Sequence, residues 1–221
     1  VQKARGGLGK QVREGMQHVL DAEFFRRWML TTAAAVDREA DRLTELDSAI
    51  GDADHGANLK RGFTAVRTAL EEEEPQTPGA VLVLAGRQLI SKVGGASGPL
   101  YGTLLRGTGK ALGDDAEVTD AALHAALDQG VGAVAKLGGA APGDKTMLDA
   151  LVPAVAALGD GYDAARAAAE KGAEDTIPLR ARRGRASYLG DRSIGHQDPG
   201  ATSSALLVGA LAGTAEAVSG D

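Results

Sequence analysis

There is no cysteine among the 221 residues, which excludes disulfide staples, a thiol nucleophile and zinc–thiolate ligation and fits a reducing, cytoplasmic compartment. Aromatic residues make up only 3%, so a core has to be built from Ala, Leu and Val, which favours closely packed helices. The formal net charge of −6 removes the basic excess that direct nucleic-acid binding requires. No apolar run reads as a membrane span and no signal-peptide pattern is present, so no membrane association is expected. Familiar nucleotide loops are missing too: GxxxxGK[ST] does not occur, and the one GxGxxA match, Gly130 to Ala135, falls within a helical stretch instead of after a strand.

Glycine, by contrast, is abundant: 31 of 221 residues, about twice the usual ~7%. It is gathered into GDADHG, VGGASG, GGAAPGDKT and DPGATSS, which are candidate ligand loops. The first cluster belongs to the most informative stretch, Leu46 to Asn58, LDSAIGDADHGAN, which carries Asp47, Asp52 and Asp54. On one continuous helix Asp47 and Asp54 would share a face while Asp52 pointed away. Convergence of all three therefore needs a turn, expected to come from left-handed backbone at Gly51 and Gly56. Carboxylates brought together repel unless a cation lies between them, and an all-oxygen shell suits Mg²⁺. An EF-hand loop from Asp52 would need Asp or Asn fifth and Glu twelfth, where Gly56 and Phe63 stand. The remaining alternative is a polar helix end in which the aspartates only cap and solubilise.

Apolar residues recur at helical spacing along most of the chain. Phe25, Trp28, Thr32, Ala35, Glu39, Leu43 and Leu46 define a first helix over residues 21–46, delivering Asp47 to its end. Leu59, Phe63, Val66 and Leu70 define a second over 57–74. Thr77 and Pro78 open a third, which absorbs the strand-like run Val81 to Leu84; Pro99 opens a fourth, through Leu112. Thr119 caps a fifth, closed by Gly138 and Gly139; Met147 to Leu158 forms a sixth, with a kink expected at Pro153; residues 162–175 form an Ala-rich seventh. Residues 176–197 are irregular and too long for a simple connection, and Asp198–Pro199 starts an eighth helix.

Eight helices without a credible strand make an all-α fold, an eight-helix up-and-down antiparallel barrel or bundle. Residues 21–221 form its single domain, and residues 1–20, basic, Gly-rich and aperiodic at their start, read as a leader outside it. In such a fold the loops after helices one, three, five and seven share one end, and these are the loops that hold the four glycine clusters. Amides at those helix ends, with Ser97, Thr146, Ser203 and Ser204 nearby, suit a polyanion. Of Arg180, Arg182, Arg183, Arg185 and Arg192, the reading takes Arg185 as a phosphate contact and the others as solvated. His55 and His196 flank the ligand loops and either orient phosphate or carry a phosphoryl group; His18 and His124 read as incidental.

LDSAIGDADHGAN, SKVGGASGPLYGT, APGDKTMLDAL and GRASYLGDRSIGHQDPGATS, in this order, resemble the signature blocks of the dihydroxyacetone kinase L-subunit family. The resemblance extends from about residue 21 to the end. It implies an eight-helix barrel with ADP or ATP and two Mg²⁺ ions at one end. By motif, the metal ligands would be Asp47, Asp52 and Asp54, and the nucleotide contacts His55, Gly56, Ala57, Asn58, Ala96, Ser97, Gly138, Met147, Arg185, Asp198, Pro199 and Gly200.

The resemblance further implies a division of labour. A separate K subunit holds dihydroxyacetone, and in the phosphoenolpyruvate-dependent form a phosphohistidine M subunit recharges ADP that stays bound. Three alternatives remain: an ATP-dependent kinase with exchangeable ATP, a nucleotide-bound module docking on a transcription regulator, and a free-standing Mg²⁺ phosphohydrolase. A homodimer is also compatible with the sequence.

Overall fold

In the computed structural model, which describes residues 20–219, Asp21 accepts the Phe24 amide (2.9 Å) and starts α1, Ala22–Ile50. There follow α2 (His55–Glu73), α3 (Pro78–Lys92), α4 (Ser97–Leu112), α5 (Asp120–Gly138), α6 (Leu148–Ala157), α7 (Tyr162–Glu174) and α8 (Pro199–Ser219). Side-chain caps fix several starts. Thr77 accepts the Ala80 amide and Thr119 the Ala122 amide, each at 3.2 Å, and Asp198 accepts the Ala201 amide at 2.7 Å. Val81 to Leu84 lies within α3 as expected, and α6 runs through Pro153 into a 3-10 turn, Leu158–Asp160.

Consecutive helices pack on one another and α8 packs back on α1, so the ring closes as the antiparallel eight-helix barrel the loop lengths imply. Leu, Val and Ala fill it, with Phe24, Phe25, Trp28, Phe63 and Tyr101 buried among them. Trp28 also joins first helix to last, because its indole N–H donates to the Leu207 carbonyl (2.9 Å).

The sequence reading is corrected in four places. The inward stripe of α1 runs Phe25, Trp28, Thr32, Val36, Ala40, Leu43, Asp47 and Ile50, while Glu39 and Leu46 are only half-buried. Asp47 therefore sits on the core-facing stripe, inside the last turn. Second, a two-residue antiparallel ladder exists: β1, Leu20–Asp21, pairs with β2, Glu117–Val118. Leu20 is fully buried and belongs to the fold; the rest of the expected leader lies outside the described residues. Third, the stretch 176–197, expected to be irregular throughout, contains a 3-10 segment, Arg185–Ser193, that bends at Gly190. Fourth, Pro199–Val218 in α8 is long and apolar enough, by composition, to cross a membrane; 61% of the stretch is buried within the protein, where its apolar residues serve the barrel core.

Candidate functional site

Three residues after α1 ends, Ala53 takes φ 60°, reversing the chain so that α2 starts beside the last turn of α1. The sequence reading placed this left-handed backbone at Gly51 and Gly56. Neither has it; both are required for close approach. A Cβ on Gly51 would lie 1.9 Å from Asp47 Oδ1, and one on Gly56 would lie 1.9 Å from the Ala40 carbonyl, where α2 crosses α1. Asp47 Oδ2 accepts the amides of Asp54 (2.9 Å) and His55 (3.2 Å), so Asp47 does cap α2, and one of its oxygens stays clear of those bonds. Asp47 also converges with Asp52 and Asp54: the three carboxylates offer ligand atoms within 4.8 Å of one another. Asp52 and Asp54 are exposed and Asp47 is buried, an arrangement open on one side to a further ligand. Hard oxygen donors at that separation fit Mg²⁺.

Behind the triad, His55 is clamped through both ring nitrogens, Nδ1 to Ser97 Oγ (3.2 Å) and Nε2 to Ser203 Oγ (2.9 Å). Burial pushes its pKa below the ordinary imidazole value, against the pull of Asp47 and Asp54. A neutral ring with both nitrogens engaged has no free nucleophile, so the geometry favours the orienting role over phosphoryl carriage. The chain of hydroxyls continues through Tyr101, whose hydroxyl meets Ser203 (2.6 Å) and Ser204 (3.0 Å). Burial foremost pushes the Tyr101 pKa up to about 12. This network ties the starts of α2 and α4 to the first turn of α8.

The loops after α1, α3, α5 and α7 meet around one cavity of about 520 Å³, lined from Asp47, Asp52 and Asp54 across to Ala96 and Ser97, Gly138, Met147, Arg185 and Asp198 to Gly200. The single-mouth expectation therefore holds. Helices α2, α4, α6 and α8 all begin there, directing N-terminal amides and positive dipole ends toward the mouth. Arg185 reaches the triad, with Nη2 3.1 Å from Asp52 Oδ2. Asp149, in the first turn of α6, shapes the neighbouring loop by accepting the amides of Gly143 (2.6 Å) and Thr146 (2.7 Å).

Gly56, Ala57 and Asn58 are outside the cavity wall. Ala57 is exposed, and the buried Asn58 accepts from Arg61 (2.7 Å) beneath the Gly94 loop, so its contact with the site is indirect. His196 is exposed and offers the protein its carbonyl instead of its ring. Two basic residues went unrecognised in the sequence. Arg183 lines the cavity although the sequence made it solvated. Lys145 also lines it and is 1% exposed, where a lysine amid Gly, Pro and Asp reads as a surface residue.

Cation-binding oxygens on one lip and helix starts on the others suit a metal-complexed phosphate ester, which defines an all-helical barrel of the metal–polyphosphate-binding class. Comparison with known proteins narrows this. The DAK2 domain model matches residues 49–213. The ADP-binding subunit DhaL of PEP-dependent dihydroxyacetone kinase 1 from Listeria innocua is 43% identical over 192 residues, covering 86% of this chain and 96% of that protein. The corresponding Escherichia coli K12 subunit is 42% identical over 195 residues, covering 84% and 93%. The crystal structure of the dihydroxyacetone kinase from C. freundii in complex with AMP-PNP and Mg²⁺ superposes with TM-score 0.69 at 25% identity, over 96% of this chain and 37% of that one. The chain belongs to the DAK2-domain family, among its dihydroxyacetone kinase L subunits.

Proposed function

We propose that the chain is the ADP- or ATP-binding phosphotransferase subunit of a phosphoenolpyruvate-dependent dihydroxyacetone kinase. The observation that carries this is the meeting of the acidic triad and four helix starts at one cavity, in a chain that matches DhaL subunits over nearly their whole length. Asp47, Asp52 and Asp54 would hold Mg²⁺, two ions in this reading, with Asp47 fixed by the α2 amides it caps. Bound there, Mg²⁺ supplies charge neutralisation on the terminal phosphate oxygens and a template for in-line transfer.

The chain's own groups do the rest. Amides at the starts of α4, α6 and α8 receive the phosphates, and His55, held neutral, orients without competing as a nucleophile. Gly138, Met147 and Leu100 provide apolar wall for the nucleoside. Arg185 spans from the 176–197 segment to Asp52 and is placed to follow charge developing during transfer. Asn58 supports the site from beneath the Gly94 loop. The acceptor, dihydroxyacetone, would be presented by a K subunit and the donor phosphoryl by a phosphohistidine M subunit, in the cytoplasm.

A second reading concerns acceptor and exchange. L-erythrulose 1-kinase from Mycolicibacterium smegmatis is 40% identical over 186 residues, and the match spans 32% of that longer chain. In that reading ATP exchanges freely and a related ketose replaces dihydroxyacetone. Mass analysis of nucleotide released from the purified protein decides between them: retained ADP, rephosphorylated in place by a phosphohistidine subunit, is expected. A protein that neither retains nor binds ADP or ATP with Mg²⁺ overturns both.

A further inference from the structure

Residues 176–198 form a strap whose two ends meet. The Asp198 amide donates to Thr176 Oγ1 (2.9 Å) and the Gly195 amide to the Ile177 carbonyl (2.8 Å). Inside the strap sits a side chain from another loop. Lys145 Nζ donates to the carbonyls of Leu179 (3.1 Å), Ser193 (2.7 Å) and His196 (2.5 Å). The Lys145 backbone is held at φ 63°, a conformation side-chain-bearing residues rarely adopt, and its neighbour Asp144 accepts the Arg182 amide (3.0 Å).

We propose that Lys145 is a positioning residue for phosphoryl transfer: its buried ammonium staples the strap in the one shape that holds Arg183 and Arg185 over the mouth. The positioning half of this rests on the nucleotide reading above; the stapling half does not. An ammonium has three protons, and three carbonyls take them. None is left for a phosphate, so Lys145 does not act on the nucleotide itself. The three acceptors come from residues far apart along the strap and converge on one point, which no single backbone amide would satisfy. Removing the cation would strand three inward carbonyls, and buried acceptors without a donor destabilise the segment that bears them.

An apolar side chain of similar length would fill the space at lower desolvation cost, but it could not hold this shape. Burial pulls the Lys145 pKa below the ordinary lysine value, and Asp198, at the far end of the same strap, opposes that by favouring the charged form. The ammonium therefore links three parts of the mouth: the 141–147 loop, the arginine-bearing strap and the start of α8.

The test is Lys145→Met, with Lys145→Ala as a second variant that leaves room for added ethylammonium. The strap contains Arg180, Arg182, Arg183, Arg185 and Arg192, so trypsin reports its order directly. Both variants should keep wild-type helix content by circular dichroism yet be cut within 180–192 at least about tenfold faster, because cleavage follows the population of the opened segment.

With MgADP and a K subunit, kcat for transfer should fall by roughly ten- to a hundredfold, the range that misplaced groups incur, while Mn²⁺ affinity of the triad does not fall, since the displaced Arg185 only removes a competing cation from Asp52. Arg185→Ala should add little in the Lys145→Met background, since the arginine is already displaced. Ethylammonium should restore part of both trypsin resistance and kcat in Lys145→Ala, which a mere packing defect would not show. Wild-type trypsin resistance in both variants overturns the staple. A loosened strap with unchanged kcat overturns the positioning role. A wild-type protein that binds no MgADP defeats the nucleotide reading, while the trypsin result still decides the staple.

Discussion

The two ends of the barrel are closed by the same helices and follow different rules. At the base, the α2–α3, α4–α5 and α6–α7 connections are short, and Thr77 and Thr119 cap the helices that follow the first two. Their charges, at Glu74, Asp114, Asp115, Glu117 and Asp160, are all acidic. At the mouth, the connections after α5 and α7 are longer, the strap carries five arginines against two aspartates, and the exposed large apolar residues of the described chain collect. Ile90 and Leu137 lie in the last turns of α3 and α5, and Ile177, Tyr188 and Ile194 lie on the strap or its approach. The base shows what the fold alone requires. The mouth's additional exposure, buried charge and irregular backbone are therefore attributable to function.

Neutralising one carboxylate at each end tests that contrast most severely. Asp52→Asn should lower transfer at least about a thousandfold, several kcal/mol of transition-state stabilisation, with helix content unchanged. Asp115→Asn at the base should leave transfer within twofold of wild type. Equal activities for the two variants, measured in the same coupled assay, would erase the distinction between the ends.

A smaller effect comes from Asp198. Burial foremost, with Asp149 adding repulsion, raises its pKa from 3.8 to about 7, while the amides of Ala201 and Gly200 and the charge of Lys145 pull the other way. The folded state thus holds this proton more tightly than the unfolded chain. Stability of the nucleotide-free protein should be greatest in acid and fall as pH rises toward about 7, by at most about 1.4 kcal/mol per pH unit from this group. Urea midpoints between pH 5.5 and 7.5 should show the slope in wild type and a flatter one in Asp198→Asn. An identical slope in the variant removes Asp198 as its source.

Next in size is Tyr188, 90% exposed on the basic strap. An unburied aromatic at a rim is the type of side chain that anchors protein interfaces. Tyr188→Ser should raise the apparent KM for the K subunit about tenfold with MgADP affinity unchanged. A rise in nucleotide Kd instead would place Tyr188 in the cavity's service.

The parts of this molecule that were legible in the sequence are those decided locally. Period-3.6 stripes gave the helices, Thr77, Thr119 and Asp198 announced themselves as caps, and counting helices placed four glycine clusters at one end. Features that depend on distant partners were not legible. The run AAAVDREA offers alanine on several faces, so the α1 stripe could be drawn through Glu39 instead of Val36 and Ala40, and Asp47 was not recognised as inward-facing. Gly51 and Gly56 drew attention as flexible points, when the reason for them is what stands opposite, the Asp47 carboxylate and the Ala40 carbonyl. Lys145 and Arg183 owe their places to strap residues 34 or more positions away or to the closing of the cavity, and neither leaves a periodic trace.

The smallest effect separates capping from catalysis. Thr119→Ala removes a base cap and should cost about 1 kcal/mol, a shift of a few degrees in melting temperature, with no change in nucleotide affinity or transfer. Asp47 performs the equivalent task at the mouth, accepting the Asp54 and His55 amides, while also belonging to the triad. Asp47→Asn keeps an acceptor for those amides and loses the charge. Its melting temperature should therefore fall no further than that of Thr119→Ala, while Mg²⁺ affinity falls by at least about tenfold, as loss of a charged ligand to a hard cation requires. If Asp47→Asn instead melts far below Thr119→Ala and retains its metal affinity, Asp47 is a cap and nothing more, equivalent to Thr119 at the base.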